Sequence, residues 1–164
     1  MKLVLFLHEE SRKMAAKILF DIGPLDQEIS VFAISAPMRD YRFIWYLNKN
    51  TEYNFVKDEP YIYHIRKQKT DLPFSVFLCS DHDDMFFVSN RSENSLLFNK
   101  YRGVDFFLIW ERELNGEEFK YWKNTLKTIP GLTLAKRIEG DDLESFQTIV
   151  ADMEYQRMDR REDK

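Results

Sequence analysis

Cys79, followed by Asp81, His82, Asp83 and Asp84, forms the run whose residue types could ligate a metal or move a proton. A hard cation needs several oxygens converging at about 2.0–2.6 Å, usually from a more regular spacing than neighbours in a row provide. Zinc would need further thiols or histidines, whereas the chain holds one cysteine and its other histidines, His8 and His64, are isolated. Short polar side chains bond their own backbone and tolerate left-handed conformations, so the run is expected to be a solvated hairpin turn. Cys79 has no sequence context for a nucleophile and reads as a structural thiol, unless the fold brings a histidine to it. Glycines are few and scattered, so no loop cradles a phosphate. Asn90-Arg91-Ser92 matches a glycosylation acceptor that a cytoplasmic chain does not use. No catalytic residue, metal or cofactor is expected, and a small enzyme with an unrecognised site is the last of three functional readings.

The first reading is a non-catalytic cytoplasmic interaction module whose partner is an unidentified protein or a second copy of the chain. Its candidate surface is Arg42, Tyr46 and Asn90, because tyrosine and arginine are enriched where proteins meet. On the same segment Tyr41 and Trp45 read as core anchors, since aromatic residues at helical spacing usually face inward. The second reading is an RNA-associated protein. Its candidate contacts are Lys57, Arg66, Lys67 and Lys69, with Tyr61 and Tyr63 as stacking surfaces and Asp58 and Glu59 interrupting the patch. A formal charge of −4 argues against a polyanion as the main partner, and DNA is not expected.

The elements that would position these residues centre on Leu72–Glu111, three apolar runs with polar joints that predict the middle of an antiparallel sheet. Phe74, Val76 and Leu78 alternate with Ser75, Phe77 and Cys79; Met85 to Ser89 returns; and Val104, Phe106, Leu108 and Trp110 share a face of the third run. Asp105 is placed at that strand's edge, within reach of water. Upstream, Ile18 to Ile22 and Gln27 to Ser35 read as strands around a Gly23-Pro24 break. Ser35 and Pro37 predict a helix start, with Met38, Tyr41, Ile44, Trp45 and Asn48 on its buried face to residue 48. Short strands are expected at Tyr53–Val56 and Tyr61–Ile65, then a basic loop over Arg66–Asp71. Residues 90–103 read as polar, with an apolar island at Leu96–Phe98. Asn115 with Glu118 suggests a capping box for a helix over 116–129, stopped by Pro130 and Gly131. Leu132–Ile138 is a last strand. A third helix follows Asp141 or Asp142, striped by Leu143, Phe146, Val150 and Met153 and fraying beyond Tyr155.

The 164 residues suffice for one core, and 44% apolar and 15% aromatic content is globular. Residues 1–13 read as an N-terminal extension, 14–139 as the core domain and 140–164 as the C-terminal helix with a charged end. Leu3–Leu7 is too short and too soon followed by Glu9 and Glu10 for a membrane span or signal, so no membrane is expected.

The helix DYRFIWYLN followed by FFVSNRSENSLLFNKYRGVDFFLI resembles the IPExxxVDY family, small bacterial proteins found mainly among Bacteroidetes and without an assigned activity. The naming motif falls on Phe98, Asn99, Lys100, Val104, Asp105 and Phe106; Val104 and Asp105 match it outright, while Asn99-Lys100 and Phe106 depart from it. The resemblance spans roughly residues 14–138 and implies a single domain, a cytoplasmic address and a beginning at Met14. It implies no catalytic residue. Together these readings predict an α+β fold: an antiparallel sheet of about six strands with two helices on one face and a C-terminal helix.

Overall fold

The computed structural model describes residues 28–164; the predicted extension over 1–13, the beginning at Met14 and the strand over 18–22 lie outside them. Six strands form the main sheet: β1 (Ser30–Ser35), β2 (Phe55–Lys57), β5 (Val76–Cys79), β6 (Met85–Ser89), β9 (Phe106–Trp110) and β10 (Leu134–Arg137). Their order is β10-β1-β9-β6-β5-β2, and every neighbouring pair is antiparallel. Two hairpins stand beside it, β3 (Tyr61–Ile65) with β4 (Thr70–Phe74), and β7 (Arg91–Ser92) with β8 (Ser95–Leu96). The helices are α1 (Asp40–Asn50), α2 (Gly116–Lys127) and α3 (Asp142–Glu162).

Strands β1, β6 and β9 are buried at every residue, the pattern of strands covered on both faces. Side chains alternate across a strand, so the same three strands feed two cores. Phe32, Ile34, Phe87, Phe106, Leu108 and Trp110 meet Phe43, Ile44 and Leu47 of α1 and Trp122 and Leu126 of α2. Val31, Ala33, Phe86, Val88, Phe107 and Ile109 meet Phe146, Val150 and Met153 of α3. This is the predicted α+β architecture, an antiparallel sheet with two helices on one face and a C-terminal helix, and the structure adds that this last helix covers the other face. Each fully buried large apolar side chain contributes about 1.5–3 kcal/mol, which makes these two layers the main stabilising feature.

Several local expectations change. The first helix starts at Asp40, not residue 37, and Ser35 does not cap it: its hydroxyl donates to the Gly103 carbonyl at 2.5 Å. The buried face is Phe43, Ile44 and Leu47, whereas Tyr41 and Trp45 are 66% and 55% exposed and are not core anchors. Two stripes compete on this helix and share Ile44; the one without polar ring atoms wins the core, because a buried Tyr or Trp must also satisfy its hydroxyl or ring N–H. Val104 packs into the α3-side core, opposite Phe106, Leu108 and Trp110.

The run from Leu72 divides at Ser75, so that β4 pairs with β3 outside the main sheet while β5 joins it. The predicted basic loop is therefore a hairpin tip, closed with Lys69 at φ 49°. The polar stretch after Asn90 also folds back on itself, through β7–β8 with Glu93 at φ 48°.

The capping box forms as predicted: Glu118 N–H donates to Asn115 Oδ1 at 2.9 Å and Asn115 N–H to Glu118 Oε2 at 3.0 Å. Gly131 follows at φ 83°, and a Cβ there would lie 2.9 Å from Met38 Cε, so both the backbone and the space favour glycine. The last helix extends past Tyr155 to Glu162, and Gln156, Arg157 and Arg160 in this stretch find partners on the chain before and within β3.

Candidate functional site

The would-be metal run is dispersed. Asp81, His82 and Asp83 are exposed, the His82 ring lies 5.0 Å from the Tyr53 ring, and Asp84 accepts from Arg112 Nε at 2.7 Å. Among the described residues no three Asp, Glu, His or Cys side chains are grouped to hold a metal ion. Cys79 is 4% exposed in the α1/α2 core, opposite Phe55, while His64 lies in the separate β3–β4 hairpin and pairs with Asp71 across it. His64 Nε2 is buried without a hydrogen-bond partner, so this pair has no described nucleophile to act on.

Asn90 is not a surface residue. It is fully buried; its amide donates to the Tyr101 and Val104 carbonyls at 2.9 Å each and its side-chain oxygen accepts from Phe98 N–H at 2.9 Å. The polar segment 97–104 needs internal partners for its backbone, and Asn90 supplies both a donor and an acceptor from one side chain. Burial also removes its amide from any glycosylation.

Asp105 works beside it. One oxygen accepts from Ala36 N–H at 2.9 Å and the other from Arg91 Nε at 2.7 Å, while Arg91 also donates to the Arg102 carbonyl at 2.8 Å. Asp105 thus joins the segment before α1 to the β7 hairpin from the edge of strand β9, which starts at Phe106, and its side chain keeps some contact with water as expected. Both residues therefore do structural work: Val104 fills the core and Asp105 fixes two loops.

Two surfaces remain. On α1, Tyr41, Arg42 and Trp45 are exposed, and Tyr46 is half-buried against the core with its ring 5.0 Å from Trp45. Lys49 Nζ sits 4.8 Å from the Trp45 ring centroid, a cation–π contact that holds the indole against the helix. Arg39 and Arg42 make no ion pair with a described residue.

The predicted RNA segment is divided by the fold. Tyr61 is 3% exposed and cannot stack on a base; burial and the Asp152 carboxylate that its hydroxyl donates to, at 2.5 Å, push that hydroxyl's pKa far up. Lys57 lies on β2, which is last in the sheet order, whereas Tyr63, Arg66, Lys67 and Lys69 are exposed together on the β3–β4 hairpin. Asp58 and Glu59, which interrupt the basic pattern in sequence, face Arg157 at 3.9 Å and Arg160 at 3.2 Å.

The α3 face is rich in polar ties. Gln156 accepts from Ile62 N–H at 3.1 Å and donates to the Ile62 carbonyl at 2.8 Å, and Arg160 donates to the Pro60 carbonyl at 2.7 Å. Ile62 lies opposite Pro73, so its polar groups can turn outward to Gln156 at a position where proline offers β3 no N–H. At the start of α3, Asp142 receives Lys100 Nζ at 2.5 Å and Tyr101 OH at 2.6 Å; Lys100 chiefly holds its carboxyl below the ordinary range. Burial, with the Glu154 carboxyl bonded to it, pushes Glu111 up to about 7.

Sequence reasoning missed the exposure of Tyr41 and Trp45, and the β7–β8 hairpin that brings Asn94 into one groove with Asn99 and Arg102. The available signal for the first was the Phe43-Ile44-Leu47 stripe. For the second it was the turn-forming Glu93-Asn94 pair between residues now seen in β7 and β8. Comparison with protein-family models, with curated proteins and with solved structures found no match. Among the described residues no helix is long and apolar enough to cross a membrane.

Proposed function

We propose that the protein is a non-catalytic interaction module and that the outer face of α1 is its contact for a protein partner. One observation carries this reading: Tyr41 and Trp45, 66% and 55% exposed, stand on a well-anchored helix beside Arg39, Arg42 and Lys49. Aromatic and arginine side chains dominate the binding energy of protein contacts, and the three cations favour a partner segment rich in carboxylates. The helix is fixed from beneath by Phe43, Ile44 and Leu47, so little order has to be gained on binding. The likeness to the IPExxxVDY family, which has no assigned activity, supplies no competing catalytic residue. A cytoplasmic address belongs to the same proposal.

A photoreactive amino acid placed at Tyr41 should give one discrete cross-linked protein in cells, and Arg42→Glu in the same chain should abolish it. The same probe at Leu134, exposed on β10, is the control. A ladder common to both positions, or no adduct at Tyr41, would refute the surface. Trp45→Ala should leave folding stability within about 0.5 kcal/mol, separating loss of contact from loss of fold. A cross-linked mass twice that of the chain would identify the partner as a second copy.

A further inference from the structure

On the α3 side of the sheet the two hairpins enclose an open groove of about 720 Å³, within the range of ligand sites. Tyr63, Ile65 and Leu72 line one wall, and Asn94, Asn99 and Arg102 stand on the other. Tyr63 is 38% exposed and offers a ring face. No described residue hydrogen-bonds the side chains of Asn94, Asn99 or Arg102, whereas Arg91, also in the lining, is held by Asp105. The wall formed by β3 ends at Ile65, where the hairpin tip carries Arg66, Lys67 and Lys69. These three cations and Arg102 make no ion pair with a described residue, and Glu93 is the acid lining the groove.

We propose that this groove binds a short stretch of single-stranded nucleic acid. An unpaired base stacks on Tyr63 against Ile65 and Leu72, and every base has a face to offer such a ring. Arg102 and the tip cations follow the phosphodiester backbone, whose charge they complement in a chain that is otherwise net acidic. The amides of Asn94 and Asn99 present donors and acceptors to base edges freed from pairing. A duplex does not fit this chemistry, because its bases are already stacked and paired. The contact set differs from the one the sequence suggests: Tyr61 and Lys57 leave it, and Asn94, Asn99 and Arg102 enter. The groove is on the opposite side of the sheet from α1, so this inference does not rest on the protein-contact reading.

Fluorescence anisotropy with labelled mixed-sequence RNA and DNA strands of about ten nucleotides tests it, with the corresponding duplexes as competitors. Expected is binding to single strands at low salt that weakens steeply as salt rises, with duplexes competing poorly. The RNA and DNA arms rank the two polymers by the contribution of the 2′-hydroxyl, and binding of either supports the groove. Tyr63→Ala should weaken binding on the order of tenfold, and Arg102→Ala should lower the salt slope by about one. Trp45→Ala should leave affinity unchanged. No anisotropy change with either strand at low salt would overturn the proposal, as would binding that Tyr63→Ala and Arg102→Ala leave intact. Both substituted residues are surface-accessible, and an unchanged circular dichroism spectrum confirms that each variant folds.

Discussion

On one face of the sheet Phe87 stacks on Phe43 at 5.5 Å and tilts against Phe106 at 5.0 Å beneath two helices. On the other, Phe107 and Phe146 meet at 4.9 Å beneath a single helix. Both contacts are aromatic and fully dry, yet the two closures differ. The α1/α2 face has apolar packing as its largest part, with Arg112 paired to Asp84 and Glu118 and Asn48 bonded to the Phe55 backbone at its margins. The α3 face adds ties to Asp142, Asp152, Gln156 and Arg160, several of which depend on charge. Apolar packing responds little to pH, whereas paired carboxyls titrate. One face should therefore unfold with the molecule as a whole, whereas the other can loosen by itself.

The largest expected effects come from truncating each core. Phe87→Ala and Phe146→Ala remove equally buried rings and should each cost about 3–5 kcal/mol. Phe87→Ala should lower the protection of all core amides together in hydrogen exchange. Phe146→Ala should open the amides of 142–162 first, while β1, β6 and β9 keep more of theirs. Identical exchange maps for the two variants would erase the distinction between the faces.

A smaller effect isolates the polar ties. Gln156→Ala leaves the Ile62 N–H and carbonyl without their partner and should cost about 1–3 kcal/mol, read from urea unfolding. Faster exchange at the Ile62 amide would locate that loss. An unchanged Ile62 amide would show that water or a neighbour replaces the glutamine.

The smallest effect is a pH slope with opposite signs along α3. Glu111 titrates at about 7 in the fold against an ordinary 4.5, because of burial and Glu154. The native state therefore holds that proton more tightly. Its contribution to stability is full below about pH 4.5 and is lost as pH rises towards about 7. Asp142 is displaced downward by Lys100 and Tyr101, so its contribution is present above its unfolded value and is lost as pH falls. After correction for intrinsic exchange, helix amides near Glu154 should lose protection between about pH 4.5 and about pH 7, and those near Asp142 should lose it in acid. Glu111→Gln should flatten the first trend and leave the second. A variant that keeps the wild-type slope near Glu154 would exclude this carboxyl pair as its source.

Much of the fold was legible because its strands and capped helix carry short-range signals. Alternation placed Phe86 and Val88 opposite Met85 and Phe87, and Asn115 with Glu118 fixed the start of α2. The misreadings arise where a long-range partner decides. Asn90 has the polarity of a surface residue, and only the return of residues 98–104 makes it a buried joint. Helical spacing fits both Tyr41-Trp45 and Phe43-Leu47, and the sheet beneath selects the second pair. Ser75 gives no local sign of a break; the split follows from β4 pairing with β3 while β5 pairs with β2 and β6. The candidate sites were legible only as ingredients, since an exposed ring or an unpaired arginine is defined by neighbours distant in sequence.

The double bond pattern from Gln156 to Ile62 reaches beyond stability. A bare strand flank is a template on which another molecule can extend its own ladder, and one glutamine amide here occupies the rung such a stranger would need. Chains lacking the end of α3 would thus expose a seed for association, so solubility as well as folding depends on the last turns of this helix.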